Sequence, residues 1–307
     1  MHGVIEQHLA AAGIATLAAQ PVTGGDICSA WRIDTPTGPL FAKAAKHTPA
    51  GPDRTVAAEP TPADPGMFVL EAAGLDWLAQ AGAHTPEVVA ANQDILVLQW
   101  LDHTRATPAA AHRLGADLGR LHSTPAAHFG CPPGSLQAAS GWLGALQLPF
   151  GSWDSWPQFY VEGRLRPTAE LARAAGSLPT TGQEQLTRLY ERILTGDTDL
   201  LGPDISPRRC HGDLWSGNVL WSVNGAALID PAATGGHPET DLAMLQLFGI
   251  PHFAEIVRGY QTQRPLALGW QQRTAMHQLL PLLVHCALFG SGYWSQTQAT
   301  LQRLTTG

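Results

Sequence analysis

Hydrophobic and polar positions along the chain change their period near residue 100. Before it, short apolar runs alternate with turns. Ala30–Asp34 and Leu40–Ala44 flank Thr35-Pro36-Thr37-Gly38, which predicts a β-hairpin. Residues 46–65 hold five prolines and few large apolar side chains, which predicts a loop. A helix is expected from Asp64-Pro65, an N-cap followed by proline at the first helical position. It carries MFVLEAAGLDWLAQ, with Phe68, Leu75 and Leu78 on one face and Glu71 inside it. Glu87–Ala91 and Ile95–Leu101 read as two further strands.

From about residue 102 the apolar spacing becomes helical. Thr107-Pro108 opens a helix in which Leu114, Leu118 and Leu121 share a face. Trp153–Ala175 and Gly182–Leu194 are expected to be helices, the second with a capping box at Thr181–Glu184. Val219–Trp221 and Ala226–Asp230 surround Ser222–Gly225, whose Asn-Gly pair predicts a second hairpin. Residues 238–304 read as three or four helices, one of them kinked or divided at Pro281. The fold expected is α+β, with a small sheet lobe over 1–101 and a mainly helical lobe over 102–307.

Composition narrows the class. The chain has 307 residues, enough for about two domains and for a core without disulfide or metal staples. It is 44% hydrophobic and 14% charged, which argues against a wholly disordered chain. A net charge of -7 with no basic run disfavours nucleic acid and anionic membrane as partners. Cys28, Cys131, Cys210 and Cys286 are scattered, which suits neither a disulfide framework nor a zinc site. The N-terminal stretch lacks a basic region and carries Glu6, so a secretory signal is not expected. The apolar stretch Leu279–Gly290 is broken by His285 and too short to cross a bilayer. Together these predict a soluble, cytoplasmic protein. Among 18 lysines and arginines only positions 43 and 46 are lysine. Codon bias accounts for the ratio, but Lys and Arg differ where a compact ammonium is needed.

The densest chemistry lies in His211-Gly-Asp-Leu-Trp-Ser-Gly-Asn218, followed by Ile229-Asp230-Pro231. Asp213 and Asn218 share one loop, and the hairpin should return Asp230 beside them. A carboxylate base with an amide and a second carboxylate on Mg²⁺ is the layout of kinase phosphoryl transfer. The alternative is a set of turn residues, since Asp, Asn and Gly favour turns. Gly24-Gly25 precedes the first hairpin, where backbone N–H groups could meet phosphates. Lys43 follows on a strand and Glu71 on a helix, an order in which such a pair positions nucleotide phosphates. Taken singly, Lys43 reads equally as an exposed strand lysine and Glu71 as a solvated helix residue. Few residues separate Asp230 from the helix around Asp241, which leaves no room for a long activation loop.

These motifs resemble the fructosamine kinase (ketosamine-3-kinase) family, within the wider aminoglycoside-phosphotransferase and choline-kinase-like group. The matching text is HGDLWSGN at 211–218 and IDPAATGGHPETDLAMLQLFG at 229–249, with SWPQFYVEGRL at 155–165, MFVLEAAGLDWL at 67–78 and LGRLHSTPAAHFG at 118–130. HGD…N marks only the wide group; Trp215 and GGHPETDLA are more specific. The resemblance implies a two-lobed protein-kinase-like fold and ATP-dependent phosphorylation of the 3-hydroxyl of a ketosamine, whose unstable product releases the amine. It implies Asp213 as base, Asn218 and Asp230 on Mg²⁺, and Lys43, held by Glu71, on the α/β-phosphates. Adenine would lie against Leu98–Leu101, including Gln99, Trp100 and Leu101, with Gly24 and Gly25 near the phosphates. Trp215 and His237 would line the sugar pocket. Same-fold phosphorylation of an aminoglycoside, a choline-like alcohol or a sugar stays open, as does a catalytically silent nucleotide-binding protein.

Overall fold

In the computed structural model, residues 2–22, 28–45 and 65–306 are described. Gly24, Gly25, Asp64 and nearly all of the proline-rich stretch lie outside them.

Five antiparallel strands form the sheet: β1 (Ala18–Val22), β2 (Cys28–Thr35), β3 (Gly38–Ala45), β4 (Val88–Ala91) and β5 (Ile95–Gln99), in the order β1-β2-β3-β5-β4. The expected first hairpin is present, with Thr35 opposite Gly38 and Ala30 opposite Lys43. Ile95–Leu98 of β5 is an unbroken apolar run because both faces of the sheet are covered there. Its side chains alternate in period two. Ile95 and Val97 pack with Ile5 and Leu9 of an N-terminal helix, α1 (His2–Ala11). Leu96 and Leu98 pack with Phe68, Ala72 and Leu75 of α2 (Met67–Ala79).

Helix α1 is absent from the reading of the sequence, and α2 starts later than expected. Gly66 takes the N-cap position with φ 83° and no side-chain cap. Positive φ is open to glycine at little cost, so Gly66 rather than Pro65 turns the chain into the helix.

β5 leads through residues 100–107 into α3 (Pro108–Leu121), the stretch that contains the expected lobe boundary. Thr107 caps α3 as anticipated, its side chain accepting from Ala110 N at 3.2 Å. A β6/β7 hairpin (Ser140–Leu143, Leu146–Pro149) was not foreseen. The segment expected as one helix from Trp153 begins at Trp156 and runs through a π-helical stretch, Phe159–Leu165, before Arg166–Ala174. The next helix is Thr180–Leu194, and its capping box does not form: Pro179 is the N-cap, with no side-chain bond. Four α-helices follow residue 237: Pro238–Leu247, Phe253–Gln263, Trp270–Phe289 and Trp294–Thr306. Pro281 lies inside the third without dividing it.

No disulfide joins the four cysteines. Among the described residues no helix is long and apolar enough to cross a membrane.

Candidate active site

Two short antiparallel pairs bring the site together. β8 (Arg208–Cys210) pairs with β11 (Thr234–Gly236), and β9 (Val219–Ser222) pairs with β10 (Gly225–Leu228). The β8–β9 loop, 211–218, therefore lies beside the β10–β11 connection that carries Asp230. The second hairpin is the one expected, although Val223 and Asn224 form its two-residue turn and Gly225 opens β10. Asp230 follows β10 with φ 52°, a left-handed conformation uncommon outside glycine. Gly212 has φ 82°, and a Cβ there would meet Ala232 O at 2.2 Å, so only glycine allows the two loops to touch.

Lys43 joins the sheet to this pair of loops. Its Nζ lies 2.6 Å from Glu71 Oε2 and 2.8 Å from Asp230 Oδ1. Burial opposes the Lys43 charge, but Glu71 and then Asp230 overcome it, and the ammonium is held more firmly than usual. Burial likewise works against the Asp230 carboxylate, which Lys43 nevertheless holds below the ordinary range. The expected Lys–Glu pair is thus formed, with Asp230 as a third member.

Asp213 and Asn218 face each other across the loop. Asn218 Nδ2 donates to Asp213 O at 2.8 Å and to Asp213 Oδ2 at 3.2 Å. Burial first, and repulsion from Asp230 second, push the Asp213 carboxyl up to about 7. A carboxyl so placed can take a proton near neutral pH. The bonds made by Nδ2 leave Asn218 Oδ1 uncommitted to Asp213. Asp230 and Asn218 are hard oxygen donors next to that base, and half the Asp230 side chain is exposed. This donor set fits Mg²⁺, which takes one or two protein oxygens and completes its octahedron with water and phosphate.

The loop is supported by His211 and by three residues, Asp241, His122 and Tyr260, to which the sequence alone assigns no role. Asp241, fully buried on Pro238–Leu247, accepts from His211 N at 2.8 Å and from Gly212 N at 3.0 Å. His122 Nε2 lies 2.9 Å from the same carboxylate, and His122 Nδ1 is 3.2 Å from the Tyr260 hydroxyl. Burial disfavours the charge on Asp241, but His122 and the backbone donors hold its pKa low. His211 Nε2 lies 2.9 Å from Ile229 O, so it donates, and Nδ1 accepts from Asp213 N at 3.3 Å. Burial keeps this imidazole neutral. His211 thereby ties the β8–β9 loop to the residue before Asp230. One signal could have found Asp241: it lies one turn before Leu245 on an apolar helix face, where a carboxylate needs partners.

Lys43, Glu71, Asp213, Asn218 and Asp230 open on one cleft of about 1910 Å³. Gln99, Trp100 and Leu101 line it beside the sheet, and Trp215 and His237 line it beside the helices. Trp215 is 41% exposed, large for a tryptophan, and its ring lies over Gly217, where a Cβ would meet it at 2.2 Å. His237 is less available than expected for a sugar contact. It is 4% exposed and serves as N-cap, Nδ1 accepting from Glu239 N at 3.1 Å. Its ring packs 5.1 Å from Trp156 and 4.7 Å from His277.

The chain is similar to known proteins over nearly its whole length. Residues 2–306 match the family model described as fructosamine kinase. A "probable ketoamine kinase" of Enterococcus faecium is 31% identical over 287 residues, covering 92% of this chain and 93% of its own. Another from Synechocystis sp. is 34% identical, covering 77% of this chain and 78% of its own. A crystal structure from Thermobifida fusca, titled "putative fructosamine-3-kinase", superposes with TM-score 0.86 at 34% identity over 100% of both chains. Aminoglycoside phosphotransferase APH(4)-Ia, in a ternary complex with ADP and hygromycin B, shares the fold alone, with TM-score 0.62 at 14% identity over 98% of both chains. With its kinase-like fold, its match over nearly every residue and its lysine, aspartate and asparagine gathered at one cleft, this chain belongs to the fructosamine kinase family.

Proposed function

We propose that the chain transfers the γ-phosphoryl group of ATP to the 3-hydroxyl of a ketosamine. The observation that carries this is the meeting of Asp213, Asn218 and Asp230 with the Lys43–Glu71 pair at one cleft. Asp213 accepts the proton of the sugar hydroxyl as its oxygen attacks the γ-phosphorus. The new O–P bond forms as the bond to the β-phosphate oxygen breaks, and ADP leaves. Lys43, held by Glu71, contacts the α/β-phosphates. Asn218 and Asp230 would hold Mg²⁺, which supplies charge neutralisation on the phosphate oxygens. Gln99–Leu101 flank the adenine, and Trp215, with the edge of His237, borders the sugar. The 3-phosphate is unstable and releases the amine, so the outcome is deglycation. The short connection from Asp230 to helix Pro238–Leu247 supports a small-molecule kinase rather than a loop-regulated protein kinase.

The test is incubation of the protein with Mg·ATP and ribulosyl-, erythrulosyl- and fructosyl-lysine, alongside aminoglycosides, choline and simple sugars. Phosphate incorporation is followed by mass spectrometry. A phosphorylated ketosamine, lost by a factor of about 10² to 10⁴ in the Asp213→Ala variant, is the expected result. Turnover of another alcohol with no ketosamine product would replace this reading. Nucleotide binding without any turnover would point to a silent binding protein.

A further inference from the structure

Among the described residues, Arg164 is a buried cation without a counter-ion. It lies in the π-helical stretch Phe159–Leu165, is 8% exposed and lines the cleft. Its Nη1 donates to Pro149 O at 2.9 Å and to Gly163 O at 2.8 Å. Its guanidinium carbon sits 4.5 Å from the centroid of the Phe159 ring. Nε and Nη2 make no hydrogen bond among the described residues, and neither is sealed from solvent. That edge of the guanidinium therefore has no partner among the described residues, on a residue that lines the cleft.

Among the described residues no carboxylate pairs with Arg164. Glu162, the nearest acid in sequence, is taken by Arg166 at 3.0 Å. Arg273, also buried, is matched by Glu239 through two bonds of 2.9 and 2.6 Å. Burial alone shifts Arg164, lowering its pKa to about 9, so it stays protonated at neutral pH. A buried charge left unpaired is strongly unfavourable unless something compensates it. π-Helical insertions are also frequent at functional sites.

The position indicates the ligand. Phe159 packs 6.0 Å from Trp156, and Trp156 packs 5.1 Å from His237. Arg164 is thus linked through two rings to the acceptor side, whereas Lys43 and Gln99 mark the nucleotide side on the sheet. The free edge presents two donors side by side, which suits a carboxylate or phosphate.

We propose that Arg164 binds an anionic oxygen group of the acceptor, either a carboxylate on its amine part or a phosphate ester on its sugar part. This rests on the ketosamine reading and extends it to the substrate class.

Three acceptors separate the sources: fructosyl-glycinamide, fructosyl-glycine, and fructosyl-glycinamide carrying a 6-phosphate, each a 1-amino-1-deoxyfructose. The expected result is that one anionic acceptor exceeds the neutral one in kcat/KM by roughly tenfold or more, chiefly through KM. The preferred acceptor identifies the anion. In R164Q the ratio collapses toward one, and R164K keeps part of it. Equal use of all three acceptors by the unmodified protein overturns the proposal. So does a variant that slows all three alike, since that marks a structural arginine. If R164Q does not fold, an unchanged ratio in R164K overturns it and a reduced ratio supports it. If no ketosamine is phosphorylated, the ketosamine reading falls by itself. Arg164 is then decided by thermal shift with sulfate in the presence of Mg·ADP: a stabilisation that R164Q lacks supports the site, and an equal response in both overturns it.

Discussion

Glu239 shows how far a single residue can be read from its partners. Arg273 grips it through both oxygens, and His277 Nε2 lies 3.5 Å from Oε2. Burial raises its pKa, but the bonds from His277 and Arg273 outweigh this and lower it from 4.5 to about 2. A carboxylate with a depressed folded-state pKa contributes stability that is complete above its unfolded value. That contribution is lost as pH falls through the folded one. The acid limb of a stability–pH curve between pH 4.5 and 2 should therefore be shallower in Glu239→Gln than in the unmodified protein. At pH 7 the variant leaves Arg273 buried without its counter-charge and should lose about 3–5 kcal/mol in urea unfolding. Residues of this kind are the least legible in a sequence. His-Pro-Glu-Thr-Asp at 237–241 announces a helix start, yet of its four polar side chains His237 is spent on a cap, Glu239 on a buried ion pair and Asp241 on the Asp213 loop, while Thr240 Oγ1 lies 3.0 Å from His277 Nδ1.

At the scale of elements, two contacts stand behind the 211–218 loop. One is helix Pro238–Leu247 against β8, through Asp241. Asp241→Ala strands the N–H groups of His211 and Gly212 and frees His122. A cost of about 1–3 kcal/mol for each orphaned group is expected. Turnover should fall more than in Asp241→Asn, which keeps one acceptor oxygen. Urea unfolding and steady-state rates on the same samples test both points. The other contact is α3 against Phe253–Gln263. A Cβ on Gly115 would meet Ile256 O at 1.9 Å, and one on Gly259 would meet His112 O at 1.9 Å. Alanine improves helix propensity by about 1 kcal/mol, which alone predicts stabilisation. Backbone atoms in the way reverse the sign, so Gly259→Ala should lower stability by about 1–3 kcal/mol or more. Thermal unfolding decides the direction. Helical spacing of Leu114, Leu118 and Leu121 was enough to place α3. The reason for its glycines lies wholly in a partner more than 130 positions away.

At the scale of the whole molecule, Lys43 and Asp230 join the sheet to the helical region across 187 positions of sequence, 2.8 Å apart. In the proposed function, nucleotide and metal would bind where that bridge lies. Mg·ATP at a hundred times its Kd should stabilise the fold by about 2.7 kcal/mol. The gain should depend on Mg²⁺ in the unmodified protein and lose that dependence in Asp230→Asn; a thermal shift with ATP, with and without Mg²⁺, reads both. By itself the sequence determined the elements whose cause is local. The β2–β3 hairpin, the capped α3, the β9–β10 hairpin and the helices after residue 237 all follow from turn residues and apolar period. It also determined the family, because HGDLWSGN and the segment after Asp230 are contiguous text. Only the tertiary structure decided that Lys43 is shared between Glu71 and Asp230, that Asp241 braces the loop, that His237 is committed as a cap and that Arg164 has no carboxylate partner among the described residues. Those facts depend on which side chains meet across distant segments. Desolvation and ion pairing act through distance in space, and local sequence pattern carries no record of it.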